Sequence, residues 1–444
     1  MKTGLKLSTA AVALLTVVGL GMAPASAADL GGNCCADLEE RIAELEATTA
    51  RKGNRKVKLE ISGHVNEALI FWDDGFESNS GVYTNDNART RFRMKGSAKI
   101  TDDVKAGYLL EIGVRSANSK RFDQNNPSAT AGDNNLDVRH SAWYVESKSL
   151  GTVWVGRTGP AAEGITEINL ANTKDVAKLA DLEDSALGLL LRTPTGALSN
   201  VQIRRAIRDT GDQAGEPERG QIVKYVSPAF AGFAMSAAWG GDDYWDIGLN
   251  YKGEFAGFKM AAGIAYGQES SENADAQIGN CNTSRSAAGV DCEQVGGSLS
   301  IMHEETGLYG TFAAGWSEDP NSLALFNGTG DDENTFYAIE AGIERKFFPL
   351  GKTTLFGQYH QGDYGSTGRG INVVPGADGI IGSEITMYGG GIVQELSAAS
   401  MLLYVYYRHI ETELSFADTG TGAPIASPGF EDLDMVVAGG MIKF

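Results

Sequence analysis

Three arginines stand out by their spacing. Arg89, Arg91 and Arg93 fall on alternate positions and are followed by Lys95 and Lys99. Between them lie Thr90, Phe92, Met94, Gly96, Ala98 and Ile100. Successive side chains of an extended chain point to opposite faces, so one face here is cationic and the other apolar. A face so dense in cations cannot be buried and must meet water. Arg115, Arg139 and Arg157 recur further on, and an acidic stretch follows with Glu163, Glu167, Asp175, Asp181, Glu183 and Asp184 within 159–184. Fixed charges of both signs orient ions and polar solutes. They neither make nor break a covalent bond.

Other chemistries find little footing. The five histidines (64, 140, 303, 360 and 409) are scattered, and none has a metal-ligand spacing. No Gly-x-Ser-x-Gly elbow or phosphate-cradling glycine loop occurs. An enzyme is therefore not expected, and no cofactor is implied. Asp331-Asp332-Glu333 and Asp242-Asp243 lack the spacing of a calcium loop. They suit weak bridging of divalent ions to lipopolysaccharide. Cys281 and Cys292 are expected to form a loop-stapling disulfide in an oxidising compartment. The adjacent Cys34 and Cys35 are poorly placed to bridge each other and could cross-link neighbouring chains.

The elements that hold these charges begin with a leader. Lys2 and Lys6 precede an uncharged run from Leu7 to Met22, and Ala25-Ser26-Ala27 reads as a cleavage site. Residues 1–27 are thus expected to be a signal peptide. After Ala28 no uncharged apolar run approaches the roughly 20 residues of a membrane helix. The net charge of −20 disfavours nucleic acid as a partner. Hydrophobic content of 42% suits a protein in which every second strand residue meets water.

Residues 34–50 place Cys35, Leu38, Ile42, Leu45 and Thr49 at spacings of three and four, a two-heptad coiled-coil stripe. A basic stretch follows at Arg51, Lys52, Arg55, Lys56 and Lys58. Residues 28–56 therefore read as a periplasmic helical segment and linker. From residue 57 to Phe444 the period becomes two. Val57, Leu59, Ile61, Gly63 and Val65 oppose Lys58, Glu60, Ser62, His64 and Asn66, and the pattern recurs to the end. It includes 201–208, where Val201, Ile203 and Ile207 oppose Gln202, Arg204 and Arg208. Each segment has about the 9–11 residues of a tilted membrane strand. Short turns such as 101–103 and 397–400 alternate with long loops such as 117–134 and 159–184. This predicts an all-β, transmembrane antiparallel barrel over 57–444. The count favours 18 strands, with 16 as the alternative, and the weak segments at 186–193 and 241–245 decide it. The last strand, DMVVAGGMIKF, ends on Phe444 and must close the barrel against the first, so that no edge is left unpaired in lipid.

Several segments resemble the general porins of alphaproteobacteria: SLGTVWVGR at 149–157, VKYVSPAFAGFAMSAAWG at 223–240, WDIGLNYKGEFAGFKMAAGIAYG at 245–267 and the preface at 34–63. The resemblance spans nearly the whole mature chain. It implies a homotrimer of barrels in the outer membrane, usually with 16 strands, each with its own pore. It also implies a third loop, here 159–184, folded inward to narrow that pore. The constriction would then set Arg89, Arg91, Arg93, Arg115, Arg139 and Arg157 against Glu163, Glu167, Asp175, Asp181, Glu183 and Asp184. The function implied is passive diffusion of small hydrophilic solutes and ions. Competing readings are a substrate-specific channel and a tether between outer membrane and cell wall through the basic linker. Expected partners are outer-membrane lipid and lipopolysaccharide, the barrel assembly machinery acting on the Phe444 strand, and peptidoglycan.

Overall fold

The computed structural model describes residues 57–127, 136–185, 188–207, 213–241, 243–270, 291–366, 379–418 and 421–444. The signal peptide, the coiled-coil segment, Cys34, Cys35 and Cys281 lie outside the described residues. Among the described residues no helix is long and apolar enough to cross a membrane. The chain is built of strands: β1 (Lys58–Asp73), β2 (Ser78–Thr84), β3 (Arg91–Lys99), β4 (Val104–Val114), β5 (Leu136–Ser147) and β6 (Gly151–Thr158). The hairpin β7 (Leu190–Arg192) and β8 (Leu198–Gln202) and the short helix α1 (Ile203–Ile207) follow. Then come β9 (Gly220–Val226), β10 (Phe233–Gly240), β11 (Trp245–Phe255), β12 (Phe258–Ser270), β13 (Asp291–His303), β14 (Leu308–Glu318), β15 (Glu333–Phe348) and β16 (Gly351–Tyr364). The chain ends with β17 (Gly379–Leu396), β18 (Met401–Ala417), β19 (Pro424–Ile425) and β20 (Leu433–Lys443).

Eighteen of these strands form one antiparallel sheet, and sixteen of them close into a ring. The two extra strands are short. β2 pairs with the upper part of β1, from Glu67↔Thr84 to Asp73↔Ser78, while β3 pairs with β1 further along. β19 likewise pairs only with the end of β18, below which β20 takes over. Each extra strand is thus the upper half of a wall strand interrupted by a short excursion. The ring therefore has 16 strands, the alternative count, within a sheet of 18. Among the described residues neither deciding segment adds a wall strand: residues 190–192 belong to the separate β7–β8 pair, and Trp245 is the first residue of β11. The alternating stretch 201–208 is not a wall strand either. Val201, Ile203 and Ile207 are fully buried, in β8 and α1, within the long connection between β6 and β9.

Alternation does sort the two faces of the wall. Ile61, Val65 and Leu69 of β1, Met235 and Trp239 of β10, and Tyr337 and Ile339 of β15 are exposed on the outward face. Their neighbours Asn66, Ala68, Ile70, Ala238, Ala338 and Glu340 are buried inward. A contiguous apolar exterior over a partly polar interior is the pattern of a barrel in lipid. Trp143 and Trp245 join the outward set, whereas Trp154 turns inward, its ring tilted against that of Tyr144 at 4.5 Å. Short connections gather at one end of the wall, at 100–103, 148–150, 227–232, 256–257, 304–307, 349–350 and 397–400.

Closure runs along β1 and β20 in register from His64↔Lys443 to Asp73↔Asp434. At its foot Gly63 and Phe444 exchange two backbone hydrogen bonds, of 2.9 and 3.0 Å. The Phe444 ring stays exposed, and a Cβ at residue 63 would lie 2.7 Å from it. A glycine there lets the terminal aromatic cross the first strand.

Candidate functional site

The connection from β6 to β9 spans 159–219 and is the third long one in the chain. Its first part is tied, step by step, to the inward face of the wall. Ala162 N–H donates to Asp246 Oδ2 of β11 at 2.7 Å. Ser298 Oγ of β13 donates to the Ile165 carbonyl and accepts from Ile168 N–H, and Ser300 Oγ accepts from Leu170 N–H. Glu344 and Glu340 of β15 accept from Asn172 N–H at 2.8 Å and Thr173 Oγ1 at 2.6 Å. Gln358 of β16 donates to the Ala177 carbonyl at 2.6 Å, and Arg408 of β18 donates to that of Lys178 at 2.6 Å. Polar side chains placed at every second wall residue thus satisfy a loop backbone that would otherwise be buried unpaired.

The other face of this segment is apolar. Val176, Ala177, Leu179, Ala180 and Leu182 are buried among Ile70, Trp72, Tyr83, Tyr404, Tyr406 and Met435. Burying a Val or Leu side chain contributes about 1.5–3 kcal/mol, so this packing holds the loop as firmly as its hydrogen bonds. The later part adds Val201, Ile203, Ala206 and Ile207 to the same cluster. One side of the interior is therefore filled.

The arginines line the opposite side, on β3 to β5. Glu111 of β4 is fully buried and gathers three guanidinium groups. Arg139 Nε donates to Oε1 at 2.8 Å, Arg91 Nη1 reaches Oε1 at 3.3 Å, and Arg93 Nε donates to Oε2 at 2.7 Å. Arg89 pairs with Asp137 at 2.9 Å and approaches Asp86 at 3.9 Å. Arg115 lies 3.3 Å from Asp86. Gly113 makes room for this cluster, since a Cβ there would lie 2.4 Å from Asp137 Oδ1 and 3.1 Å from Arg89 Cδ. A register irregularity at Glu111 and Ile112 lets both Arg139 and His140 turn toward this side of the wall.

The expected loop acids are present, but they find partners nearer home than the β3–β5 arginines. Glu163 pairs with Arg219. Glu167 and Asp181 share Lys178, the latter at 2.7 Å. Asp175 pairs with Lys443 at 2.8 Å, and Asp184 with Lys120 at 3.0 Å. The side chain of Glu183 lies outside the described residues. Arg157 corrects the expectation: its register partner Ser141 shares the outward face of Trp143, and its Nε donates to the Val138 carbonyl at 2.9 Å. It does not line the interior. Residues that spacing alone missed are Glu111, Asp86, Asp137, Lys178, Arg219 and Arg408. Of these only Glu111 left a local signal, as the polar residue between Leu110 and Ile112.

Ionisation follows these contacts. Burial raises Glu163, but Arg219 and neighbouring cations overcome it and hold the carboxyl down at about 2. Burial is the main cause raising Asp181 well above the usual carboxylate range, aided by the charge of Glu167, which is itself raised by burial. Lys178 is raised by Asp181 and Glu167 against the opposing effect of burial.

A family model described as Gram-negative porin matches residues 9–414. No curated protein sequence matches the chain. Among solved structures it is similar to the anion-selective porin from Comamonas acidovorans, at 16% identity and TM-score 0.52, over 87% of this chain and 100% of that one. In-vitro folded OmpT of Vibrio cholerae matches at 12% identity and TM-score 0.48, over 88% and 99% of the two chains. Salmonella typhi OmpF in complex with daunomycin matches at 14% identity and TM-score 0.47, over 88% and 98%. The likeness to the Comamonas porin is one of fold.

Proposed function

Because this chain belongs to the Gram-negative porin family, we propose that the charged passage between β3–β5 and the segment 160–185 is the selecting zone of its pore. The protein is a multi-pass outer-membrane channel, not an enzyme, and small solutes cross it by passive diffusion. One observation carries the siting. The segment is fastened to the inward face from β11 round to β18, while guanidinium groups face the interior from β3 to β5. Cations on one wall of a water path and a fastened loop along the other create a transverse field, in which polar solutes align and apolar ones lose ordered water. Swelling of liposomes containing the folded protein, in sugars of graded size, tests the reading. Entry of small sugars with a sharp size limit is expected, and swelling no faster than empty liposomes contradicts it.

Finer parts belong to the same proposal. The loop 159–184 narrows the pore as the third-loop constriction, in a chain of the alphaproteobacterial branch. The chain assembles as a homotrimer. What supports this is Glu67, which stands outward on β1 between the exposed Val65 and Leu69. It accepts from Thr84 and Thr90 at 3.1 Å each. A carboxylate at that height is costly against lipid tails and is better placed against a second protein surface. A cleaved leader at 1–27, a coiled coil at 34–50, a Cys281–Cys292 disulfide, contacts with lipopolysaccharide and peptidoglycan, and recognition of the Phe444 strand by the barrel assembly machinery complete it.

A further inference from the structure

We infer that residues 175–178 of the inward connection, together with Tyr404, form an internal clasp over the seam where the first and last strands meet, so that seating the connection and closing the barrel are one event. The inference goes beyond the channel reading. It concerns how the wall is held shut, whatever crosses the pore.

The seam joins β1 to β20 from His64↔Lys443 to Asp73↔Asp434. Bringing segments so distant in sequence together carries the greatest loop-closure entropy in the wall. One inward side chain crosses this seam. Tyr404 of β18 is in register with Gly439 of β20, which is in register with Ala68 of β1. A Cβ at residue 439 would collide with the Tyr404 ring and lie 2.8 Å from Ala68 Cβ. The ring therefore lies over the last strand, and its hydroxyl donates to Asn66 Oδ1 of β1 at 2.7 Å. Asn66 and Asn85 are fully buried and Tyr404 nearly so. Polar groups buried in this way depend on one another for their hydrogen bonds.

The inward connection completes the clasp. Asn85 opens the excursion between β2 and β3, and its backbone N–H donates to the Asn66 carbonyl at 3.3 Å. Its side chain donates to Tyr404 Oη at 3.0 Å and to the Val176 carbonyl at 2.9 Å. Asn87 Oδ1 accepts from Lys178 N–H at 2.7 Å. These bonds hold the connection from the β1 side. From the other side Lys443 of β20 pairs with Asp175, Gln358 of β16 donates to the Ala177 carbonyl, and Arg408 of β18 donates to that of Lys178. Residues 175–178 are thus fastened to both sides of one seam, and the two sets of attachments cannot coexist while β1 and β20 are apart. By contrast, Ser298 and Ser300 hold 165–170 from β13 alone.

Amide hydrogen exchange of the folded protein in detergent micelles, read peptide by peptide in a mass spectrometer, tests the clasp. In wild type under rising urea, peptides covering 175–178 and those covering β1 and β20 should lose protection together. Asn85→Ala combined with Tyr404→Phe should make exchange at the seam about tenfold faster, the equivalent of one or two net hydrogen bonds. Ser298→Ala combined with Ser300→Ala should loosen 165–170 and leave the seam at the wild-type rate. Three results overturn the clasp: 175–178 losing protection while the seam keeps it, a seam unchanged in the Asn85 and Tyr404 variant, or a seam loosened equally by the serine pair. The wild-type arm decides alone if the first variant does not fold. A closed barrel that opens as expected but passes no current contradicts the channel reading and leaves the clasp standing.

Discussion

The guanidinium of Arg408, on β18, donates at 2.6 Å to the backbone carbonyl of Lys178 in the connection between β6 and β9. It also donates to Ser185 Oγ at 2.5 Å and to Gln358 at 3.1 Å, and lies 5.2 Å over the Tyr406 ring. It is fully buried, yet all these acceptors are neutral. Burying a cation this way is costly, and what the arrangement achieves is to fix the loop. Each charged hydrogen bond is worth about 1.5–3 kcal/mol. Arg408→Met should therefore loosen the segment, with noisier and larger single-channel currents, and Arg408→Lys should restore part of the quiet behaviour. Currents identical to wild type would remove the anchoring role.

The loop should lose stability as pH rises. Asp181 is raised in the folded chain, so the stability of its neutral form is complete below the ordinary value of about 3.9 and is lost as pH rises through the raised one. Glu163 has the opposite sign. Held at about 2, its stabilising charge is present above the ordinary value near 4.3 and is lost only as pH falls toward about 2. Current noise followed from about pH 5 to about pH 10 should grow toward alkali in wild type and stay flat in Asp181→Asn. Noise that grows equally in both assigns the effect to another group.

Gly113→Ala should disturb the arginine cluster without unmaking the barrel. The added methyl would meet Asp137 at 2.4 Å and Arg139 Cδ at 3.2 Å. Overpacking of this kind costs about 1–3 kcal/mol, usually relieved by side-chain movement. The expected result is a native-like, heat-modifiable band on gels with a changed zero-current potential. An unchanged potential would mean that Gly113 spaces nothing that ions feel.

Deleting Phe444 should impair closure. It removes two backbone hydrogen bonds to Gly63, each worth about 0.5–1.5 kcal/mol net, and shortens the seam where β20 meets β1. A lower yield of heat-modifiable barrel on refolding into detergent is expected, with the barrels that do form conducting normally. Full yield would show that the seam from His64 to Asp73 suffices.

Much of the wall was legible because alternation is local. Val65 and Leu69 turning outward, and Asn66 inward, follow from a period of two. What alternation reports is that one face is covered, not what covers it. Val201, Ile203 and Ile207 therefore read like a wall strand although they pack inside the barrel. The count of 18 rests on the weak segments at 186–193 and 241–245, and the first of these contributes residues 190–192 to the separate β7–β8 pair inside the connection, which local pattern cannot tell from a wall strand. Arg157 was misplaced although Val153 and Val155 precede it on the outward parity. The partnership of Arg139 with Glu111 and that of Arg408 with Lys178 span 28 and 230 positions. No spacing rule reaches them.

Ion conduction tests the central claim most directly. Folded, purified protein added to a planar lipid bilayer should raise the current in discrete, ohmic steps, grouped in threes if the chain is a trimer. Folded barrels, verified by heat-modifiable migration, that insert into the bilayer without any step in current would contradict a water-filled passage between the arginines and the loop.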